Sequence, residues 1–360
     1  MNDDHDRSSG STAEASEGPS PVEPVGAESD LLSNVLETVR LRGSLFFLWE
    51  PGWPFATSVP DGSQVAPLLI PDADQLASYH IVLEGPCWGA VSGEAPVRLE
   101  SGDILLIPRG DPYVISSEPQ APDATQAAAI TAFFRLLAVG ELPPVVRNGG
   151  EGPRRNRLIC GFLGCDMRPF NPLLGVLPRL LRLPATASDG TPLAAMLEFA
   201  VREARQGGDG GRCVLLRLSE LMFVEVIRRY LRTLPAQQHG WLKGLSDPVV
   251  GRALSLMHGS VARAWSLDAL AGAVGTSRTT LAERFTLLTG EPPMQYLTRW
   301  RMQVAARALS DGHKKVYAVA REVGYESEAA FSRAFKRIVG MTPARWRAAR
   351  SSGQPRASGL

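Results

Sequence analysis

Eight side chains, four near position 280 and four near position 330, carry the chemistry needed to read a hydrogen-bonding edge. Arg333 presents guanidinium donors in a fixed fork that matches the paired acceptors of guanine. Thr279 and Ala282 offer methyl groups of the kind that pack on the thymine methyl, and Ser332 can bond to a base edge or to a phosphate. Glu283 is an acid in the same set, able to accept from a cytosine amino group or to orient Arg278 or Arg284. The full base-reading set is Arg278, Thr279, Ala282, Glu283, Glu328, Ala329, Ser332 and Arg333. Around it, Ser277, Arg284, Ser327, Lys336 and Arg337 have the donors to hold phosphates.

Two copies of one unit position these residues. Ala269, Ala271, Val274 and Gly275 recur 49 positions later as Ala318, Ala320, Val323 and Gly324. Past the glycine the offset becomes 50, so that Ser277, Leu281, Phe285, Gly290, Pro293 and Tyr296 map onto Ser327, Phe331, Phe335, Gly340, Pro343 and Trp346. Two copies are too few for a solenoid and fit a paired motif. In each copy, apolar residues at helical spacing lead to a glycine that permits a sharp turn, then to a serine that can cap a second helix. That second helix buries Leu281, Phe285 and Leu288 in one copy and Phe331, Phe335 and Ile338 in the other, which turns the reading set outward. Between the copies, Pro293 to Leu309 has helical periodicity; at roughly 1.5 Å per residue it makes a strut of about 25 Å. Such a strut can hold two recognition helices about one DNA turn, roughly 34 Å, apart.

The stretches Trp265-Ser-Leu-Asp-Ala-Leu-Ala-Gly-Ala-Val-Gly-Thr-Ser277, Arg299-Trp-Arg-Met302 running to Ala308-Leu309, and Val319-Ala-Arg-Glu-Val-Gly-Tyr-Glu-Ser327 carry a specific resemblance. With Phe331-Ser-Arg-Ala-Phe-Lys336, Gly340-Met-Thr-Pro343 and Trp346-Arg347, they make residues 247–350 similar to the DNA-binding domain of the AraC/XylS family of bacterial transcription regulators. That resemblance implies double-stranded DNA and RNA polymerase as partners, an activator's role and a place in the cytoplasm. Charge points the same way independently. Residues 247–350 hold 16 lysines and arginines against 8 acids, a balance of +8, whereas the rest of the chain stands at −7. One basic domain is therefore hidden in a chain of net charge +1.

The length of 360 residues allows two or more domains, and no stretch approaches the 18 apolar residues of a membrane helix. Residues 1–29, rich in Ser, Gly, Pro, Asp and Glu, read as a disordered acidic tail without the apolar core of a signal peptide, and 351–360 as a flexible tail. After a short amphipathic helix at about 31–41, strand-like runs appear at Ser44–Trp49, Val65–Ile70, Tyr79–Leu83, Val97–Leu99, Ile104–Ile107, Ile130–Leu137 and Arg157–Leu163. Short strands punctuated by Gly, Pro and Asp indicate a sandwich or small barrel.

Within this region Gly102-Asp-Ile-Leu-Leu-Ile-Pro108-Arg-Gly110-Asp-Pro-Tyr113 resembles a cupin signature, with Tyr113 standing where the family has a metal-binding histidine. Upstream, Tyr79-His80-Ile81-Val82 matches one half of the paired cupin histidines. A metal-dependent cupin enzyme fused to a DNA-binding module is the competing assignment. It needs roughly three or four protein ligands, and His80 is the one obvious candidate. A lone strand histidine is more often packed or hydrogen-bonded than ligating. The expectation is a non-enzymatic sensor without metal or cofactor, of the cupin type found in part of the AraC family.

The cysteines are Cys87, Cys160, Cys165 and Cys213, and none of their spacings makes a CxxC motif or zinc site. Buried inert thiols are the ordinary expectation. In some cupin-type relatives, however, oxidants act on cysteines of this half, and Cys87 and Cys160 stand in loop and strand contexts. The sensor candidates are thus His80, Cys87, Tyr113 and Cys160, and the signal is either a small apolar or aromatic molecule in the barrel or an oxidant.

Leu193 to Gln206 and Val214 to Leu234 read as two helices separated by Gly207-Gly-Asp-Gly-Gly211. Leu215, Leu218, Met222, Val226 and Tyr230, widened by Leu221, Ile227 and Leu231, make the second apolar around much of its girth. It needs cover from its own sensor or from a second subunit, and a homodimer is expected. Asp247 and Pro248 open the DNA domain as cap and first turn. The chain thus reads as an α+β multidomain protein. A disordered tail (1–29) precedes a β-rich cupin-like barrel with helices (30–185), then a helical linker and dimerisation segment (186–246). An all-α double helix-turn-helix domain (247–350) and a flexible tail (351–360) complete it.

Overall fold

A computed structural model describes residues 31–39, 41–71, 73–119, 127–185, 191–234, 240–312 and 314–351. The acidic tail expected over 1–29, and all but the first residue of the tail expected over 351–360, lie outside the described residues.

The N-terminal half is built from α1 (Leu31–Val39), β1 (Leu41–Trp49), β2 (Ala56–Val59), α2 (Gly62–Leu69), β3 (Gln75–Glu84), β4 (Cys87–Val91) and β5 (Val97–Leu99). There follow β6 (Ile104–Ile107), β7 (Tyr113–Ser116), α3 (Ala127–Val139), β8 (Val145–Val146), β9 (Arg157–Cys165) and β10 (Leu181–Leu183). The strands form a six-stranded sheet in the order β10-β6-β3-β9-β1-β8 and a four-stranded sheet in the order β2-β7-β4-β5. The strands β1, β3 and β9 are apolar almost throughout because both of their faces are covered. Their alternate residues divide between two cores. Phe46, Leu48, Tyr79, Ile81, Ile159 and Leu163 enter one, while Phe47, Trp49, Leu76, Val82, Leu158 and Phe162 enter the other, inside the sandwich.

Two runs expected as strands are helices. Val65–Ile70 falls largely within α2, where the Asp61 carboxylate accepts from the Ser63 amide at 2.9 Å and Val65, Ala66 and Leu69 turn inward together. Ile130–Leu137 falls within α3, with Ile130, Phe134 and Leu137 buried at spacings of four and three. A short apolar run satisfies a buried strand and a buried helix equally, and here the helical spacing inside the run decides. The strand signals in the sequence do not cover β2, β4, β7, β8 or β10.

Two long helices, α4 (Pro192–Gln206) and α5 (Gly211–Thr233), pack on the outer face of the six-stranded sheet. Tyr79 and Ser44 fix α5 there, the Tyr79 hydroxyl lying 3.0 Å from Ser219 Oγ and Ser44 Oγ donating to the Leu216 carbonyl. The sheet therefore supplies cover for Leu215, Leu218, Met222, Phe223, Val226 and Ile227, which are all buried, while Leu221 is 55% exposed.

The C-terminal half is helical: α6 (Trp241–Gly244), α7 (Val250–Gly259), α8 (Leu267–Ala273), α9 (Arg278–Thr289), α10 (Pro293–Ser310), α11 (Val316–Glu322), α12 (Glu328–Val339) and α13 (Pro343–Ser351). Asp247 Oδ1 takes the amides of Val249 and Val250 at 3.0 and 2.9 Å, closing the open end of α7. The strut expected over 293–309 is α10. Its first half, through Tyr296, Leu297 and Trp300, belongs to the core that continues through α9, α7 and α5 to the outer face of the sensor sheet. Its second half, from Met302 through Leu309, joins a separate core with Val319, Val323, Phe331, Phe335 and Trp346. Two further contacts tie the halves of the chain together. Buried Arg350 of α13 reaches Asp74 at 2.9 Å and Asp166 at 3.2 Å, and the Phe170 amide donates to Gln303 Oε1 at 3.0 Å. Among the described residues no helix is long and apolar enough to cross a membrane.

His80 in β3 and His258 in α7 are buried, and burial pushes each imidazole from about 6.5 down to about 3. Each folded-state value lies below its unfolded one, so the stability these residues preserve is complete above about pH 6.5 and is lost as the pH falls toward 3. At pH 5 we expect each histidine to cost roughly 2 kcal/mol relative to neutral pH. Urea unfolding at the two pH values checks this, and His258→Gln should remove about half of the acid loss. Equal midpoints at both pH values would contradict it.

Candidate nucleic-acid interface and sensor cavity

The second helix of each repeat is built as its sequence demands. The Ser277 side chain accepts from the Thr280 amide at 3.1 Å and Ser327 from the Ala330 amide at 3.3 Å, capping α9 and α12. Gly275 turns the chain into the first cap with φ +71, in the left-handed region. Leu281, Phe285 and Leu288 are buried under α9, and Phe331 and Phe335 under α12, with Ile338 half-buried. The opposite faces point outward: Arg278, Thr279, Glu283, Glu328, Ala329 and Arg333 are exposed, and Ala282 and Ser332 half-exposed. Lys336 and Arg337 are exposed at the end of α12.

Several arginines counted in the basic surplus are committed within the protein. Arg284 holds Asp247 through two nitrogens at 2.6 and 2.9 Å, which fastens α9 to the start of α7. Arg278 lies 3.5 Å from Asp268. The acids that these two arginines meet are thus Asp247 and Asp268, while Glu283 stays exposed beside them on α9. Arg299 pairs with Glu291 at 2.8 Å and stacks over Phe170, and Arg350 is taken by Asp74 and Asp166. Asp247, Asp268 and Glu291 are already counted in the balance of residues 247–350, whereas Asp74 and Asp166 lie outside it, so the net charge of that segment does not reveal the commitment of Arg350.

The sensor candidates converge in part. His80 Nε2 lies 2.6 Å from the Tyr113 hydroxyl and His80 Nδ1 3.2 Å from Cys160 Sγ. All three are buried, and Phe162 packs edge-on against the imidazole. Both ring nitrogens are thereby engaged, and Tyr113 takes the place of a second imidazole, so these residues do not fit a cupin metal centre. Burial keeps the Cys160 thiol and the Tyr113 phenol well above their ordinary ranges. Cys87 opens β4 opposite Leu99, fully buried, with its thiol pushed up to about 12 by desolvation and by the nearby Asp103 and Glu100. Thiolate chemistry is disfavoured at both cysteines. Cys213, at the start of α5, is exposed.

His80 and Cys160 also line a cavity of about 440 Å³ inside the sandwich. Its walls are Phe47, Trp49 and Phe162 from the six-stranded sheet, Val59 and Ile115 from the four-stranded sheet, and Ile130, Phe133 and Phe134 from α3. Thr57 and Asn148 add polar atoms, and the Asn148 side-chain oxygen accepts from the Trp49 indole at 2.7 Å. Sequence reasoning missed the cavity; the adjacent Phe133 and Phe134, which a strand would split across two faces and a helix keeps beside the cavity, are its one local trace.

Comparison with known proteins follows the same division. A Cupin family model matches residues 30–232, and a Helix-turn-helix domain model matches residues 270–349. A putative AraC-like transcription regulator of Streptomyces antibioticus is 34% identical over 324 residues, covering 88% of this chain and 98% of that protein. The HTH-type transcriptional regulator AlkR of Acinetobacter baylyi is 28% identical over 322 residues, 88% of this chain and 99% of that one. The crystal structure of the DNA-binding domain of AdpA in complex with a target DNA matches 31% of this chain and 99% of its own, at 31% identity and a TM-score of 0.29. A cupin-type sensor half, a paired helix-turn-helix half and near full-length kinship above 30% identity have one meaning: this chain belongs to the AraC-like family and is a DNA-binding transcription regulator.

Proposed function

We propose that the protein regulates transcription in response to an apolar effector held in the sensor cavity, and that it is not an enzyme. The observation that carries this reading is the chemistry of the cavity. About 440 Å³ lies within the range of small-molecule sites, which bury their ligands among apolar walls with a few polar groups for orientation. Five aromatic rings and four branched aliphatic side chains reward each buried methylene by roughly 0.8 kcal/mol. The Asn148 and Thr57 side chains suit one hydrogen-bonding end, and among the described residues no charged side chain lines the cavity to hold an ion. The occupant is thus a hydrocarbon chain or aromatic ring with at most one uncharged polar group. The oxidant alternative loses support because both cysteines it requires are buried thiols.

On the DNA side, Arg333 reads a base and Lys336 and Arg337 hold phosphates, with Thr279, Ala282 and Ser332 adding contacts in the two grooves. Arg278, Glu283, Glu328 and Ala329 complete the reading faces, and the exposed hydroxyls of Ser277 and Ser327 sit at the helix ends nearest the backbone. The protein acts as a homodimer in the cytoplasm and as an activator that meets RNA polymerase. The exposed apolar side chains Val214 and Leu221 on α5 and Phe199 on α4 support the dimer.

Two outcomes follow. Medium-chain alcohols or alkylbenzenes at about a hundredfold over Kd should raise the melting temperature by roughly 5–10 °C, and the Cys87→Ser/Cys160→Ser double variant should keep that response. No shift with any such compound, or an oxidant response abolished in the double variant, would overturn the effector class. Arg333→Ala should weaken binding to the selected site by about 1–3 kcal/mol with little effect on random duplex, whereas Lys336→Ala should weaken both and lower the salt slope by about one. Equal losses on both DNAs for Arg333→Ala would refute base reading by that residue.

A further inference from the structure

One helix joining two bodies fixes their distance and leaves them free to swing about it. A second contact away from the helix axis removes that freedom. Arg301 supplies such a contact from α10, next to the point where the first core gives way to the second. Its Nε donates to the Val261 carbonyl at 3.0 Å and a terminal nitrogen donates to the Arg263 carbonyl at 2.7 Å. Both carbonyls belong to the loop that leads into α8 of the first unit. That loop is itself held, the Trp265 indole donating to the Ser260 carbonyl at 3.2 Å and the Arg263 guanidinium lying 4.0 Å over the Trp265 ring.

The turn of the second unit rests on the same place. Gly324, with φ +79, is so close that a methyl added there would lie 2.6 Å from the Ala262 carbonyl oxygen and 2.8 Å from a guanidinium nitrogen of Arg301. The repeat supplies an internal control. Gly275 holds the equivalent position in the first unit with φ +71, and a methyl there would meet open space. Both turns require the left-handed conformation, and only the second requires the missing side chain for contact. The close approach is thus a property of how the two units sit together, not of the turn itself.

We propose that Arg301, the 261–263 loop and Gly324 form a clamp that sets the relative position of the two reading helices, and so the spacing between the two sequence elements recognised in DNA. This inference rests on the reading of DNA by both units. Each inserted base pair displaces the second groove by about 3.4 Å and rotates it by roughly 35°, which a clamped pair cannot follow.

The full-length protein, its Arg301→Ala variant and its Arg301→Lys variant would each select sites from a duplex library with a randomised core about four helical turns long. The native protein should enrich two elements at one separation, with each inserted base pair costing about tenfold in affinity. Arg301→Ala should enrich the same two elements at separations spread over one or two base pairs, the cost falling to about threefold or less. Arg301→Lys, which keeps the charge without the fork, should lie between. Ratios across spacings are independent of the fraction of folded protein, so they discriminate even for a variant that folds poorly. The same single separation and the same tenfold cost in both variants would overturn the clamp. Enrichment of one unpaired element by the native protein would instead overturn the two-unit reading on which the clamp rests.

Discussion

The structure depends on one continuous apolar core that runs from the outer face of the cupin-type sheet, through α5, into the first reading unit. Tyr79, Ile81 and Ile159 of the sheet, Met222 and Val226 of α5, and Leu254, Phe285, Tyr296 and Trp300 of the DNA-binding half all belong to it. Burial is proportional to the area removed from water and has no direction, so a shared core binds its contributors wherever the chain places them. The first unit therefore has no interior of its own to fold around. Trp241 of α6 makes the same point, since it is buried upstream of Asp247 with its indole 3.2 Å from the Tyr296 hydroxyl.

The second unit differs. It closes its own core around Phe331, Phe335 and Trp346 and meets the sensor through a polar contact, the ion pairs of Arg350 with Asp74 and Asp166. Breaking a buried pair of this kind by removing one partner is strongly unfavourable, yet its geometry is specific and its strength falls quickly with displacement, unlike a broad apolar contact. The sensor thus holds one reading unit by packing and the other by a small set of charges, while α10 and the Arg301 contacts hold the units to each other. A change in how α3 packs over the cavity reaches the six-stranded sheet directly, because Phe47 and Phe162 line that cavity while Phe46, Leu48 and Ile159 on the same strands face the shared core.

The repeat was legible because its signals are local: a left-handed glycine, a serine cap and apolar spacing each act within one turn of helix. The outward placement of the face proposed to read bases followed, since burying Leu281, Phe285, Phe331 and Phe335 leaves one remaining side for Arg333 and its neighbours. The sensor was legible in class and less so in detail. Strands covered on both faces lose the alternation that marks a strand, so Val65–Ile70 and Ile130–Leu137 imitate them while folding as helices. The cavity was not legible, because its walls come from β1, β2, β3, β7, β9 and α3 and meet only in the fold. Nor were the acids that hold Arg284, Arg299 and Arg350; Asp247 and Glu291 are already counted in the balance of residues 247–350, but Asp74 and Asp166 lie outside it, so that balance overstates the charge offered to DNA by the share Arg350 commits to the sensor half.

Native-state hydrogen exchange on the full-length protein tests the shared core most directly. If the first reading unit is packed into the sensor, the protected amides of α7 and α9 open with the same free energy as those of α5, while those of α11 and α12 open separately. Amides of α7 and α9 that open together with α12, independently of α5, would contradict a core shared between sensor and first unit.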